Sequence, residues 1–179
     1  MYKEFLQPIF DYFTIIRRDE FLFEWITPIV LSFILILWGF KSISIEIVKE
    51  FNGYIINFLA ILIGFSITCI TILVGSESDS IKTLKEKHCQ RSIEKREITL
   101  YQLILISFSY AIIIEIVTLA YVLIFILVCD PTISVDGNIT SNNTYRYLTI
   151  GTVFLLFHII LLNLRNITNF YFVFWRNKS

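Results

Sequence analysis

Charge is scarce in this chain: only 17% of its 179 residues are Asp, Glu, Lys or Arg, against about a quarter in an ordinary soluble domain. Glycine (6), proline (3) and cysteine (3) are also few. Little glycine and proline excludes a collagen-like or a low-complexity disordered chain. The cysteines, Cys69, Cys89 and Cys129, stand singly. An odd, unclustered set is not a disulfide framework. Without a CxxC or a His-spaced pattern it offers no zinc site, and no metal is expected. Fifteen basic residues balance fifteen acidic ones, so no basic excess marks nucleic acid as a direct partner. A cleavable signal peptide is not expected either. The first residues are acidic as well as basic, the apolar run starts late, and no small-x-small site comes after it.

What the chain has in quantity is apolar surface: 56% hydrophobic residues, 17 of them Phe, and a mean hydropathy of +0.72. This composition predicts an all-α polytopic membrane protein forming one membrane domain over residues 1–179. A hydrocarbon core of about 30 Å needs about 20 apolar residues as helix. Four stretches meet that length: 22–40, 54–74, 100–128 and 147–164. Trp25 and Trp38 lie near the two ends of the first, as interfacial aromatics do. The third is longer than one crossing requires and predicts a tilted or projecting helix. An aromatic run over 170–175 can extend the fourth.

Lys and Arg set the expected orientation. With the N-terminus inside, twelve of the fifteen fall on the inner side and only Lys41, Lys49 and Arg146 outside. That asymmetry predicts cytoplasmic termini and a cytoplasmic 76–98 segment.

Outside the spans, residues 2–18 carry Tyr2, Phe5, Leu6, Ile9, Phe13 and Ile16 at helical spacing. They read as an amphipathic helix, either lying on the inner leaflet or docking another subunit. The inner loop 76–98 predicts a helix over 79–97. It is a solvated extension of its neighbours or a platform for a cytosolic protein, with Lys82, Lys85, Lys87 and Arg91 as docking residues. Residues 41–52 predict a short amphipathic segment at the outer surface. The outer loop 129–146 holds Asp136-Gly137 between alternating residues, which predicts a small β-hairpin.

Ionisable residues inside spans are expensive and point to function. Glu115 sits near the middle of the third span and His158 near the middle of the fourth. Antiparallel spans place them at a shared depth, which predicts a Glu115–His158 contact, direct or through water. Such a contact fixes helix pairing or serves gating or proton sensing. Asn57, Gly64, Ser66, Thr68 and Thr71 form a polar, small-residue stripe on the second span. That stripe reads as a close-packing surface or as the lining of a pore at an oligomer axis. Glu24, near the start of the first span, reads as a group snorkelling to the inner interface. There is no phosphate loop, no HExxH and no Ser-His-Asp set, so no enzymatic activity and no cofactor are expected.

The N-terminal amphipathic segment, the second-span sequence Ile61-Leu62-Ile63-Gly64-Phe65-Ser66-Ile67-Thr68, the charged inner loop 76–98 and the outer loop 129–146 resemble small four-span membrane proteins of prokaryotic anti-phage systems. The pattern is closest to the KwaA-like membrane components of the Kiwa system, with the four-span accessory proteins of CRISPR loci second. The resemblance covers the chain as a pattern and carries no residue-specific motif. It implies a homo-oligomer in a bacterial inner membrane; its size, taken as a tetramer, does not follow from the resemblance. It also implies sensing of an envelope disturbance and a cytosolic partner that binds DNA. The rival expectation is an oligomeric pore that depolarises the cell.

Overall fold

A computed structural model describes residues 2–39, 45–93, 95–129 and 142–176. The chain is mostly helical. Helix α1 spans Tyr2–Ile15 and carries Pro8. A short α2, Arg18–Phe21, runs into a π-helical turn over Leu22–Ile26 and then into α3, Thr27–Gly39. The flanking residues Phe21 and Thr27 keep right-handed helical angles, and the Thr27 N–H donates to the Leu22 carbonyl five residues back. The helix therefore continues through a single widened turn.

Three long helices form the body: α4 (Ile45–Gly75), α6 (Leu100–Cys129) and α7 (Asn142–Arg176). Segments of these, Ile47–Gly75, Leu100–Leu127 and Tyr147–Phe172, are long and apolar enough to cross a membrane. The predicted span 22–40 has another form. Its regular part, α3, has 13 residues, or about 20 Å at 1.5 Å per residue, because the π turn interrupts it. The predicted span 54–74 is also part of a longer helix, which begins at Ile45 and takes in much of the expected outer segment 41–52.

Helix α6 is the centre of the packing. Against α4 and α7 it buries Val122 with Ile55, Leu59 and Ile159. Nearer its start, Ile104 and Phe108 pack with Cys69, Leu73 and Leu84. Tyr110 and Ala111 pack with Tyr12 of α1 and Leu162 of α7. Gly151 permits one close approach of α7 to α6. A Cβ there would lie 2.7 Å from the Tyr121 hydroxyl, which donates to the Leu148 carbonyl at 2.9 Å. The outward faces keep Ile61, Phe33, Ile124 and Val74 exposed, as lipid-facing residues would be.

The inner segment corrects the expected helix over 79–97. Helix α5 covers only Asp79–Glu86. Then β1 (His88–Ile93) and β2 (Arg96–Thr99) form an antiparallel hairpin, with Ile93 opposite Arg96 and His88 opposite Thr99. The reason is local. Cys89, Arg91 and Ile93 alternate with the more exposed His88, Gln90 and Ser92, a period of two rather than 3.6. Lys95 takes the left-handed φ of 68°, which reverses the chain. The Leu100 N–H donates to the Lys87 carbonyl at 2.9 Å and ties the hairpin to the start of α6. The hairpin expected within 129–146 falls on residues 130–141, outside the described residues.

Candidate functional site

The strongest concentration of polar chemistry lies where α1, the π turn, the hairpin and the start of α6 meet α7. Glu24 is the middle residue of the π turn and is 0% exposed. The extra residue of a π turn shifts the facing of side chains relative to a regular α-helix, and here Glu24 points inward. This corrects the expected snorkelling role. Arg165 of α7 meets it, with Nε 2.8 Å from Glu24 Oε1. That contact is an ion pair by distance, without the alignment of a hydrogen bond. The Tyr12 hydroxyl donates to the other Glu24 oxygen. Burial pushes the Tyr12 phenol above its ordinary range, so it remains a donor.

A second acid completes the cluster. Glu20 receives both terminal nitrogens of Arg91, at 2.6 and 3.1 Å. A forked contact of this kind is short and charge-assisted. Arg91 also donates to the Ile15 carbonyl at 3.0 Å, closing the end of α1. Arg165 Nη1 lies 3.5 Å from Glu20, and its Nη2 donates to Ser107 Oγ at 2.9 Å. Ser107 in turn donates to Asn166 Oδ1 at 2.5 Å. Burial disfavours charge on Glu20, but the hydrogen bonds from Arg91 and the Arg17 amide, with the Arg91 and Arg165 charges, hold its carboxyl below the usual range. Two acids and two arginines thus link the hairpin, α2, the π turn and α7.

His158 belongs to the same site. Its Nδ1 is 2.7 Å from the Glu24 carbonyl. A carbonyl only accepts, so Nδ1 carries the proton. Nε2 lies 3.2 Å from the Tyr110 hydroxyl. Tyr110 stacks on Tyr12 with centroids 3.6 Å apart and planes 8° apart, and the Trp25 ring lies 4.5 Å from the imidazole. Glu24 is therefore held through its side chain by Tyr12 and Arg165, and through its backbone by His158.

Glu115 and His158 are both buried, but their hydrogen bonds go to different partners. Glu115 Oε1 accepts from Asn163 Nδ2 at 2.8 Å and from Ser66 Oγ at 3.2 Å. Its partners lie on α4 and α7, while those of His158 lie on the π turn and α6. The direct form of the expected Glu115–His158 contact is not formed: each side chain bonds to its own partners.

The second-span stripe also divides. Ser66 turns inward to Glu115, while Asn57, Gly64, Thr68 and Thr71 lie on the exposed face of α4. Thr68 and Thr71 donate to carbonyls one turn back, at Gly64 and Ile67. Among the expected docking residues, Lys82, Lys85 and Lys87 are exposed. Lys82 pairs with Asp79 at 3.3 Å, and Lys85 lies 5.1 Å over the Tyr101 ring. The Arg91 side chain is 13% exposed and committed to Glu20.

Reasoning from sequence missed Glu20, Tyr12, Tyr110 and Arg165 as members of one site. Arg165 counted only as an inner-side charge. The signal that marks it is position: it falls on the helical continuation of the last span, seven residues past His158, two turns along the same face.

The fold is mostly helical, and among the described residues three helices are long and apolar enough to cross a membrane, with the polar junction where they meet α1 and the hairpin. Against protein-family models, curated proteins and solved structures, the chain finds no match.

Proposed function

We propose that the protein is a non-enzymatic, multi-pass membrane subunit that passes a disturbance of the envelope to a cytosolic effector. The observation that carries this reading is the Arg91–Glu20–Arg165–Glu24 network. It fastens a polar hairpin to the helices that would move if the membrane or the outer loops were disturbed. In this reading the π turn and α3, residues 22–39, form a fourth span about 27 Å long at 1.5 Å per residue. The excess of Lys and Arg supports cytoplasmic termini and a cytoplasmic hairpin in this reading. The anti-phage setting, the bacterial inner membrane, the homo-oligomer and the DNA-binding partner rest on the resemblance of the chain's pattern to the Kiwa membrane components. Lys82, Lys85 and Lys87, exposed on and beside α5, are the docking residues.

The alternative is an oligomeric pore. Asn57, Gly64, Thr68 and Thr71 on the open face of α4 favour it, since a symmetry axis there would be lined by polar and small groups.

Purification of the tagged chain from its native host in mild detergent separates the two. The first reading predicts a stoichiometric soluble protein that is lost when Lys82, Lys85 and Lys87 are changed together to Gln. Recovery of a homo-oligomer alone, with ion flux from liposomes, would move the assignment to the pore.

A further inference from the structure

A groove of about 380 Å³ opens beside the ionic network, between α1, β2 and the first turns of α6. That volume lies within the range of small-ligand sites. Its lining is mixed. Asp11, Arg96, Glu97 and Gln102 supply polar groups, and Leu105 and Ile106 supply an apolar floor. Along α6, Gln102 comes first, and Leu105 and Ile106 lie about one turn deeper into the apolar segment that starts at Leu100. The hairpin side of the groove carries Ile93 and Ile98 beside Arg96 and Glu97, and the deeper side on α6 is apolar.

Among the described residues, the charges lining the groove are one base and two acids. Among the described residues, neither Arg96 nor Glu97 has an ion-pair partner. Asp11 accepts only a long 3.4 Å contact from Gln7. A purely anionic ligand would gain Arg96 and be repelled by the two carboxylates. A ligand with a phosphate and an ammonium a few atoms apart would satisfy both signs. One with an apolar tail would also cover Leu105 and Ile106.

We propose that this groove holds the headgroup and upper acyl chain of a zwitterionic aminophospholipid from the adjacent leaflet. Arg96 binds the phosphate, Asp11 and Glu97 hold the ammonium, and the chain runs down over Leu105. The bound lipid would make α1 and the hairpin responsive to the composition of that leaflet. The inference rests on α6 being a membrane span.

The test uses the full chain in mild detergent, offered phosphatidylethanolamine and phosphatidylglycerol of matched chains at equal concentration. Bound lipids are counted by native mass spectrometry. The expected result is about tenfold preference for phosphatidylethanolamine, which corresponds to roughly one charge-assisted contact. Arg96→Gln should weaken retention of both lipids, since both carry the phosphate, while Asp11→Asn combined with Glu97→Gln, and Leu105→Trp, which fills the floor without changing charge, should each remove that preference. Lys95→Gln in the neighbouring turn should not. Equal retention of the two lipids, or a preference that survives the Asp11→Asn, Glu97→Gln double variant, would overturn the proposal. Release of the wild-type chain from membranes by alkaline carbonate would overturn the membrane reading itself. A chain that stays in the membrane but shows no lipid preference overturns only the groove.

Discussion

Arg91 grips Glu20 with both ends of its guanidinium, at 2.6 and 3.1 Å, across 71 residues of chain. The side chains are only 13% and 23% exposed. A pair this enclosed behaves unlike a surface ion pair: removing one member strands the other. Arg91→Ala and Glu20→Gln should each cost about 2–4 kcal/mol. The double variant should cost clearly less than their sum, because the stranded charge is gone. Arg91→Lys should restore only part of the loss, since an ammonium lacks the fork. Thermal unfolding in detergent reads all four proteins.

The same pair predicts a dependence on pH. The folded-state pKa of Glu20 lies below the ordinary value of 4.5. Its contribution to stability is therefore complete above the unfolded value and is lost as pH falls through the lower, folded one. The difference in unfolding midpoint between wild type and Glu20→Gln should be flat at neutral pH and shrink only below about pH 4.5. A difference that grows on acidification would show that the carboxylate is not held in its charged form.

Tyr12 has two separable contributions, its hydroxyl to Glu24 and its ring on Tyr110. Tyr12→Phe keeps the stack and leaves a buried carboxylate oxygen without its donor, at about 1–3 kcal/mol. Tyr12→Leu should cost about 0.5–1.5 kcal/mol more, the added value of a stacked aromatic pair. Equal losses would mean that the ring contributes by area alone.

Glu115 and His158 share no hydrogen-bond partner. Glu115→Gln keeps an oxygen for Asn163 and Ser66 and should change stability by less than about 1 kcal/mol. His158→Ala leaves the Glu24 carbonyl and the Tyr110 hydroxyl unsatisfied and should cost about 2–4 kcal/mol. The two effects should add in the double variant to within about 0.5 kcal/mol. Strong coupling, measured by the same unfolding assay, would restore the direct contact that the sequence led us to expect.

The spans were legible because a long apolar run has few other uses, and α4, α6 and α7 track the runs closely. The hairpin was not. Ile93 and Ile98 suit a helix face, the alternation from His88 to Ile93 is short, and the reversal uses Lys95 at positive φ where a glycine would have announced it. The π turn leaves no periodic signature either, so Glu24 looked like an interfacial charge. Glu115 and His158 were identifiable as buried polar groups by their surroundings, but not their partners. Which face of a helix meets which neighbour depends on packing, and one residue of π geometry is enough to redirect it. Arg91 illustrates the same limit: by sequence it is one cation among several in a charged loop, and in the fold it closes α1.

The central claim is that the hairpin is coupled to the spans through the ionic network. Hydrogen exchange across residues 88–99, in full-length protein carrying Arg165→Gln, tests it most directly. Among the described ion pairs Arg165 joins the hairpin through Glu20, so the account predicts faster exchange throughout β1 and β2, with Lys82→Gln unchanged. Exchange in the hairpin that is indifferent to Arg165→Gln would contradict the coupling and leave the network as a local fastening of α7.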